Sequence, residues 1–174
     1  MTDRPTLEDV VQQLSTELQR RGWMLATAES CTGGMIAAAC TDLPGSSAWF
    51  DRGFVTYSNA SKTDMLGVPA AFIAEHGAVS EAVACAMAQG AIEHSAAQVA
   101  IAVTGIAGPS GGSPDKPVGT VWVAWKLPSG IHSQCLHLDG HRSSIRSATV
   151  HAALTRLLAM LQTNELSLDC GLVH

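Results

Sequence analysis

The stretch Thr27-Ala28-Glu29-Ser30-Cys31-Thr32-Gly33-Gly34 gathers hydroxyls, a thiol, a carboxylate and two glycines between two apolar runs. Met24 to Ala28 precedes it and the small-residue run Met35 to Cys40 follows, which is the order of a strand, a tight turn and a helix. A helix start carries unpaired N–H groups and a partial positive charge, and it stabilises anions and developing oxyanions. Ser30 on such a turn is placed to be a nucleophile, with Thr32, Gly33 and Gly34 as an oxyanion or phosphate cradle. Ser30 or Thr32 equally suits the N-cap of that helix, and Cys31 is a rival nucleophile.

Lys62 follows Asn59, which reads as the N-cap of a short helix ending near Gly67. A cation in the first helical turn meets the unfavourable end of the macrodipole, which favours the neutral amine. A neutral lysine can act as general base for a serine; the alternative is a solvated surface lysine. Tyr57, the one tyrosine of the chain, ends the preceding strand. Its phenol can share a proton with Lys62, position a substrate, or rest in solvent.

Two further groups suit substrate binding. Thr104-Gly105-Ile106-Ala107-Gly108-Pro109-Ser110-Gly111-Gly112 leaves a buried strand, and ligands gather at that end of open α/β sheets. Its spacing is neither a Walker motif nor a dinucleotide fingerprint. Arg142 and Arg146, four residues apart on the last helix, share a face and suit phosphate, although a solvated face would read the same way. Among the 7 histidines no metal-binding spacing occurs, and a serine nucleophile with a lysine base needs neither metal nor organic cofactor, so none is expected.

The elements that must position these groups follow from patterning. Leu7 to Arg21 has helical spacing and stops at Gly22; Trp49 to Tyr57 reads as a strand. Ser80-Glu81 opens an alanine-rich helix reaching about His94, and Val99 to Val103 is a strand. Val118–Trp125 and Ile131–Leu138 form a hairpin, and Ser143 to Leu161 is a final helix. The expected architecture is a three-layer α/β/α sandwich with a mixed sheet, one domain over 1–163, followed by a mobile tail at 164–174.

Composition narrows the class. The 174 residues are 47% hydrophobic and 14% charged, which suits one compact domain with a substantial core. A net charge of −5 argues against a general nucleic-acid surface. The 5 cysteines form no Cys-x-x-Cys pair, so neither a disulfide framework nor a zinc site is expected. With no signal-peptide pattern and no apolar stretch long enough to span a bilayer, the cytoplasm is the expected compartment. The small residues of Ala82 to Ala91 suggest a helix that packs against its own copy, so a homo-oligomer is expected.

Several segments together resemble the CinA C-terminal domain family. They are Thr27–Gly34, Gly45–Phe50, Gly53–Asn59 with Lys62, His76–Ser80, Thr104–Pro109 and Lys116–Trp122, in that order, and the likeness covers about Leu7 to Leu161. The family's separate N-terminal nucleotide-hydrolysing domain has no counterpart within these residues, so the likeness is to the stand-alone amidohydrolase form. The resemblance implies hydrolysis of the carboxamide of nicotinamide mononucleotide, giving nicotinic acid mononucleotide and ammonia. It implies a serine nucleophile at Ser30, the family's lysine and tyrosine at Lys62 and Tyr57, and substrate binding by the two glycine loops. Arg142 and Arg146 are a weaker carry-over. A module of the same fold that binds nucleotide without turnover is the alternative.

Overall fold

The computed structural model describes residues 4–169, with side chains described to residue 163. The first helix, α1 (Leu7–Arg21), opens with a reciprocal capping box between Thr6 and Asp9 and closes at Gly22 in the left-handed region. It buries Val10, Val11, Leu14 and Leu18 along one stripe. Next come β1 (Leu25–Glu29), α2 (Met35–Thr41) and β2 (Phe50–Val55). Three helices follow: α3 (Asn59–Leu66), α4 (Ala70–His76) and α5 (Glu81–Glu93). The remainder is β3 (Val99–Gly105), the hairpin β4 (Thr120–Leu127) and β5 (Gly130–His137), and the long α6 (Arg142–Asp169). Among the described residues no helix is long and apolar enough to cross a membrane.

The sheet order is β2-β1-β3-β4-β5. Strands β2, β1 and β3 run parallel, while β4 and β5 are antiparallel additions. The mixed sheet between helical layers matches the expected α/β class. Alternation along each strand makes its two faces very different. One face carries Leu25, Val99, Ile101, Val103, Val121, Val123 and Trp125 against α1, α2 and α6. The other is almost all alanine (Ala26, Ala28, Ala100, Ala102 and Ala124) against α5 and its neighbours.

An alanine face lets a helix approach closely, and α5 answers with Ala84, Ala88, Gly90 and Ala91, all buried. A Cβ on Gly90 would lie 2.2 Å from the Leu66 carbonyl oxygen, which is hard overlap. The buried small residues of α5 thus have their partner within this chain, in the sheet and α3, while Ala82, Cys85 and Ala86 stay partly exposed.

Two boundaries also differ from expectation. Ser58, not Asn59, caps α3: its extended backbone lets Oγ accept from the Ser61 N–H, and Asn59 becomes the first helical residue. The last helix continues beyond Leu161 to Asp169, into the stretch expected as a tail; residues 170–174 lie outside the described residues.

Candidate active site

The carboxyl ends of β1, β2 and β3 share one edge of the sheet, with β1 in the middle. The connection after β1 leads to α2 on one face, and that after β2 leads to α3 on the other. A crevice opens where successive connections diverge in this way. Ser30, directly after β1, and Lys62, on α3, meet in it.

Alternation of extended backbone decides where each side chain goes. Leu25, Thr27 and Glu29 follow the α2 side, whereas Ala26, Ala28 and then Ser30 follow the α3 and α5 side. Lys62 Nζ lies 3.1 Å from Ser30 Oγ and donates to the Thr56 carbonyl at 2.9 Å. The Lys62 side chain is 1% exposed, and burial lowers its pKa from the ordinary lysine value. Helix position and burial are both expected to depress it, and in the fold burial is the main cause.

Cys31, the rival nucleophile, is buried. Its desolvation pushes the thiol up to about 11, so it is protonated near neutrality. Tyr57 is 61% exposed, and its hydroxyl accepts from Arg142 Nη2 at 3.0 Å rather than meeting Lys62. The proposed proton sharing between phenol and amine is therefore not what this geometry provides.

The turn itself is tightly built. Gly33 and Gly34 have φ of 59° and 102°, a region that side chains rarely adopt. A Cβ on Gly33 would touch Arg146 Nη2, and one on Gly34 would touch Val55, each at 3.4 Å. The Gly33 N–H donates to the Ser30 carbonyl. The Thr32 and Gly34 N–H groups have no acceptor among the described residues.

The start of α2 is not the open anion site that its sequence suggests. The buried Glu29 carboxylate accepts from Ile36 N at 2.8 Å, Ala37 N at 3.1 Å and Thr32 Oγ1 at 2.7 Å. Patterning alone missed this group. Its signal is an acid one residue before the hydroxyl turn and six before the start of the helix that it caps.

The two arginines diverge in use. Arg146 donates from Nε to the Cys31 carbonyl at 3.0 Å and from Nη2 to the Thr32 carbonyl at 3.3 Å, bracing the turn. Arg142, more exposed, donates to the Gly108 carbonyl at 2.8 Å and to Tyr57, linking the long loop to the end of β2. Thr104 Oγ1 donates to the Ala78 carbonyl at 2.7 Å, and Gly105 pairs with Val121 in the ladder. Those two residues therefore hold the frame of the loop. Lys116 Nζ reaches the neighbouring Val79 carbonyl at 2.7 Å. No cluster of three or more His, Cys, Asp or Glu side chains able to hold a metal ion occurs among the described residues.

Known proteins share this chain's sequence and fold. It is 53% identical over 148 residues to the nicotinamide-nucleotide amidohydrolase PncC of Pseudomonas putida, covering 85% of this chain and 92% of that protein. It is 46% identical over 166 residues to the protein of the same name from Escherichia coli strain K12, covering 93% and 99%. The crystal structure of competence/damage inducible protein CihA from Agrobacterium tumefaciens superposes with a TM-score of 0.86 at 48% identity, covering 93% of this chain and 99% of that one. The CinA C-terminal domain model matches residues 7–161, and the chain belongs to that family.

Proposed function

We propose that this protein hydrolyses the carboxamide of nicotinamide mononucleotide, with Ser30 as nucleophile and Lys62 as base. The observation that carries this reading is the 3.1 Å contact between Ser30 Oγ and a buried lysine whose pKa is lowered. The names of the relatives from Pseudomonas putida and Escherichia coli supply the substrate.

With its amine neutral, Lys62 donates one N–H to the Thr56 carbonyl and turns its lone pair to the Ser30 hydroxyl. Ser30 Oγ attacks the amide carbon as its proton passes to Nζ. The Thr32 and Gly34 N–H groups are the candidate donors to the oxyanion, because those of Ile36 and Ala37 are taken by Glu29. The ammonium of Lys62 returns the proton to the leaving nitrogen, and ammonia departs. Water then attacks the ester, again with Lys62 as base, and nicotinic acid mononucleotide leaves. Arg142, on the exposed side between Tyr57 and Gly108, is the better phosphate ligand, since Arg146 already braces two turn carbonyls.

Ammonia release measured in parallel with nicotinamide mononucleotide, the riboside and free nicotinamide tests this. The nucleotide is expected to have the highest kcat/KM. Equal use of free nicotinamide removes the phosphate contact. Nucleotide binding without ammonia release would make the chain a binding module.

A further inference from the structure

Glu29 has no place in the chemistry above, yet it is 1% exposed, adjoins the nucleophile, and pairs with no basic side chain among the described residues. A buried carboxylate without a cation needs other compensation. Here it comes from two N–H groups at the positive end of α2 and from the Thr32 hydroxyl. One oxygen takes Thr32 Oγ1 and Ile36 N together, and the other takes Ala37 N. The carboxylate thus ties the last residue of β1, the middle of the turn and the first turn of α2 to one another. Ser30 and Cys31 are the links between those anchors, with the Ser30 N–H also held by the Val103 carbonyl.

We propose that Glu29 is the positioning residue of this site: as a carboxylate it sets the turn so that Ser30 Oγ faces Lys62. The claim rests on the Ser30–Lys62 reading and concerns rate, not substrate affinity, because Glu29 points away from the crevice toward α2. An amide at this position would keep one oxygen acceptor and set an NH2 donor against the Ala37 N–H. A one-ångström error in a reacting group can lower a rate by as much as about a hundred-fold.

The test compares Glu29→Gln with Thr32→Val, which removes only the hydroxyl contact. Each is measured for ammonia release across pH and for the rate at which an alkyl fluorophosphonate labels Ser30, followed by intact mass. Glu29→Gln is expected to lower kcat about ten- to a hundred-fold with KM within about two-fold, and Thr32→Val to lower it less. Labelling should slow in step with kcat, and the pH midpoint of kcat should stay that of the unaltered chain, since Lys62 is untouched. Normal kcat and labelling in Glu29→Gln overturn the proposal. So does a shifted midpoint with an unchanged plateau, which would make Glu29 a partner of the base. If the unaltered chain is labelled at Ser30 but releases no ammonia, the amidohydrolase reading fails and the labelling rates alone judge Glu29.

Discussion

Between Glu29 and Met35 the chain is held at almost every step: by Glu29 on three donors, by Arg146 on two carbonyls, and by Val103 on the Ser30 N–H. The connection from Ile106 to Pro117 is fastened differently. Ile106 pairs with Thr120 and Gly119 near its ends, Gly108 is held by Arg142, and Ser113 closes locally on Lys116. Pro109 to Asp115 are all exposed. Both connections carry glycines and both border the carboxyl edge of the parallel strands. The first is fixed to within hydrogen-bond tolerance, as covalent chemistry requires. The second is fixed at its ends and open in the middle, which suits contact with the part of a substrate remote from the reacting bond.

That contrast can be broken from either side. The largest effects should come from the turn and its base. Ser30→Ala is expected to lower kcat about a thousand-fold or more while thermal unfolding shows a native fold. Lys62→Arg should be as damaging as Lys62→Ala, by about 10²- to 10⁴-fold, because guanidinium stays protonated. Near-normal turnover in Lys62→Arg would reduce this residue to a charge anchor.

The proposed base should also set the pH response. Turnover should rise with pH to a plateau as Lys62 loses its proton, with a midpoint below the ordinary lysine value of 10.5. A midpoint near 11, the Cys31 value, would instead favour the thiol. Stability has the same sign. The unfolded chain holds a proton on Lys62 up to 10.5, whereas the folded chain releases it earlier, so the unfolded state binds more protons between the two values. Stability therefore rises with pH through that window from this group alone. Urea titrations of the unaltered chain and Lys62→Met should differ by that slope.

The loop should give smaller, differently partitioned effects. Replacing Ser110 to Asp115 by a glycine–serine segment of equal length is expected to raise KM about ten-fold with kcat within about three-fold. A collapse of kcat would show that the loop belongs to the chemistry. The smallest effect belongs to Cys31→Ala, expected to retain activity within about three-fold and to cost about 1 kcal/mol of stability as a small core truncation.

Much of the fold could be read from local patterning. The short buried runs of β1 and β3, the two-residue link Pro128-Ser129 of the hairpin, the stop at Gly22 and the start at Ser80 are short-range signals. What escaped depends on distance along the chain. Tyr57 and Arg142 are 85 residues apart, and only the docking of α6 brings them together. Glu29 is not legible because a helix start read alone looks open to ligands, whereas the preceding strand delivers its own carboxylate there. The buried alanines of α5 find their partner in the alanine face of the sheet, which comes from other parts of the chain. Asn59 and Ser58 are both good caps, and backbone conformation, not residue type, chose between them.

The most direct measurement traps the covalent intermediate. Protein quenched during turnover of nicotinamide mononucleotide is digested and its peptides weighed. The expected result is a nicotinoyl-nucleotide ester on Ser30, present in the unaltered chain, accumulating or vanishing with Lys62 variants, and missing from Ser30→Ala. An adduct on Cys31, or full ammonia release by Ser30→Ala, would contradict the assignment of Ser30 and Lys62.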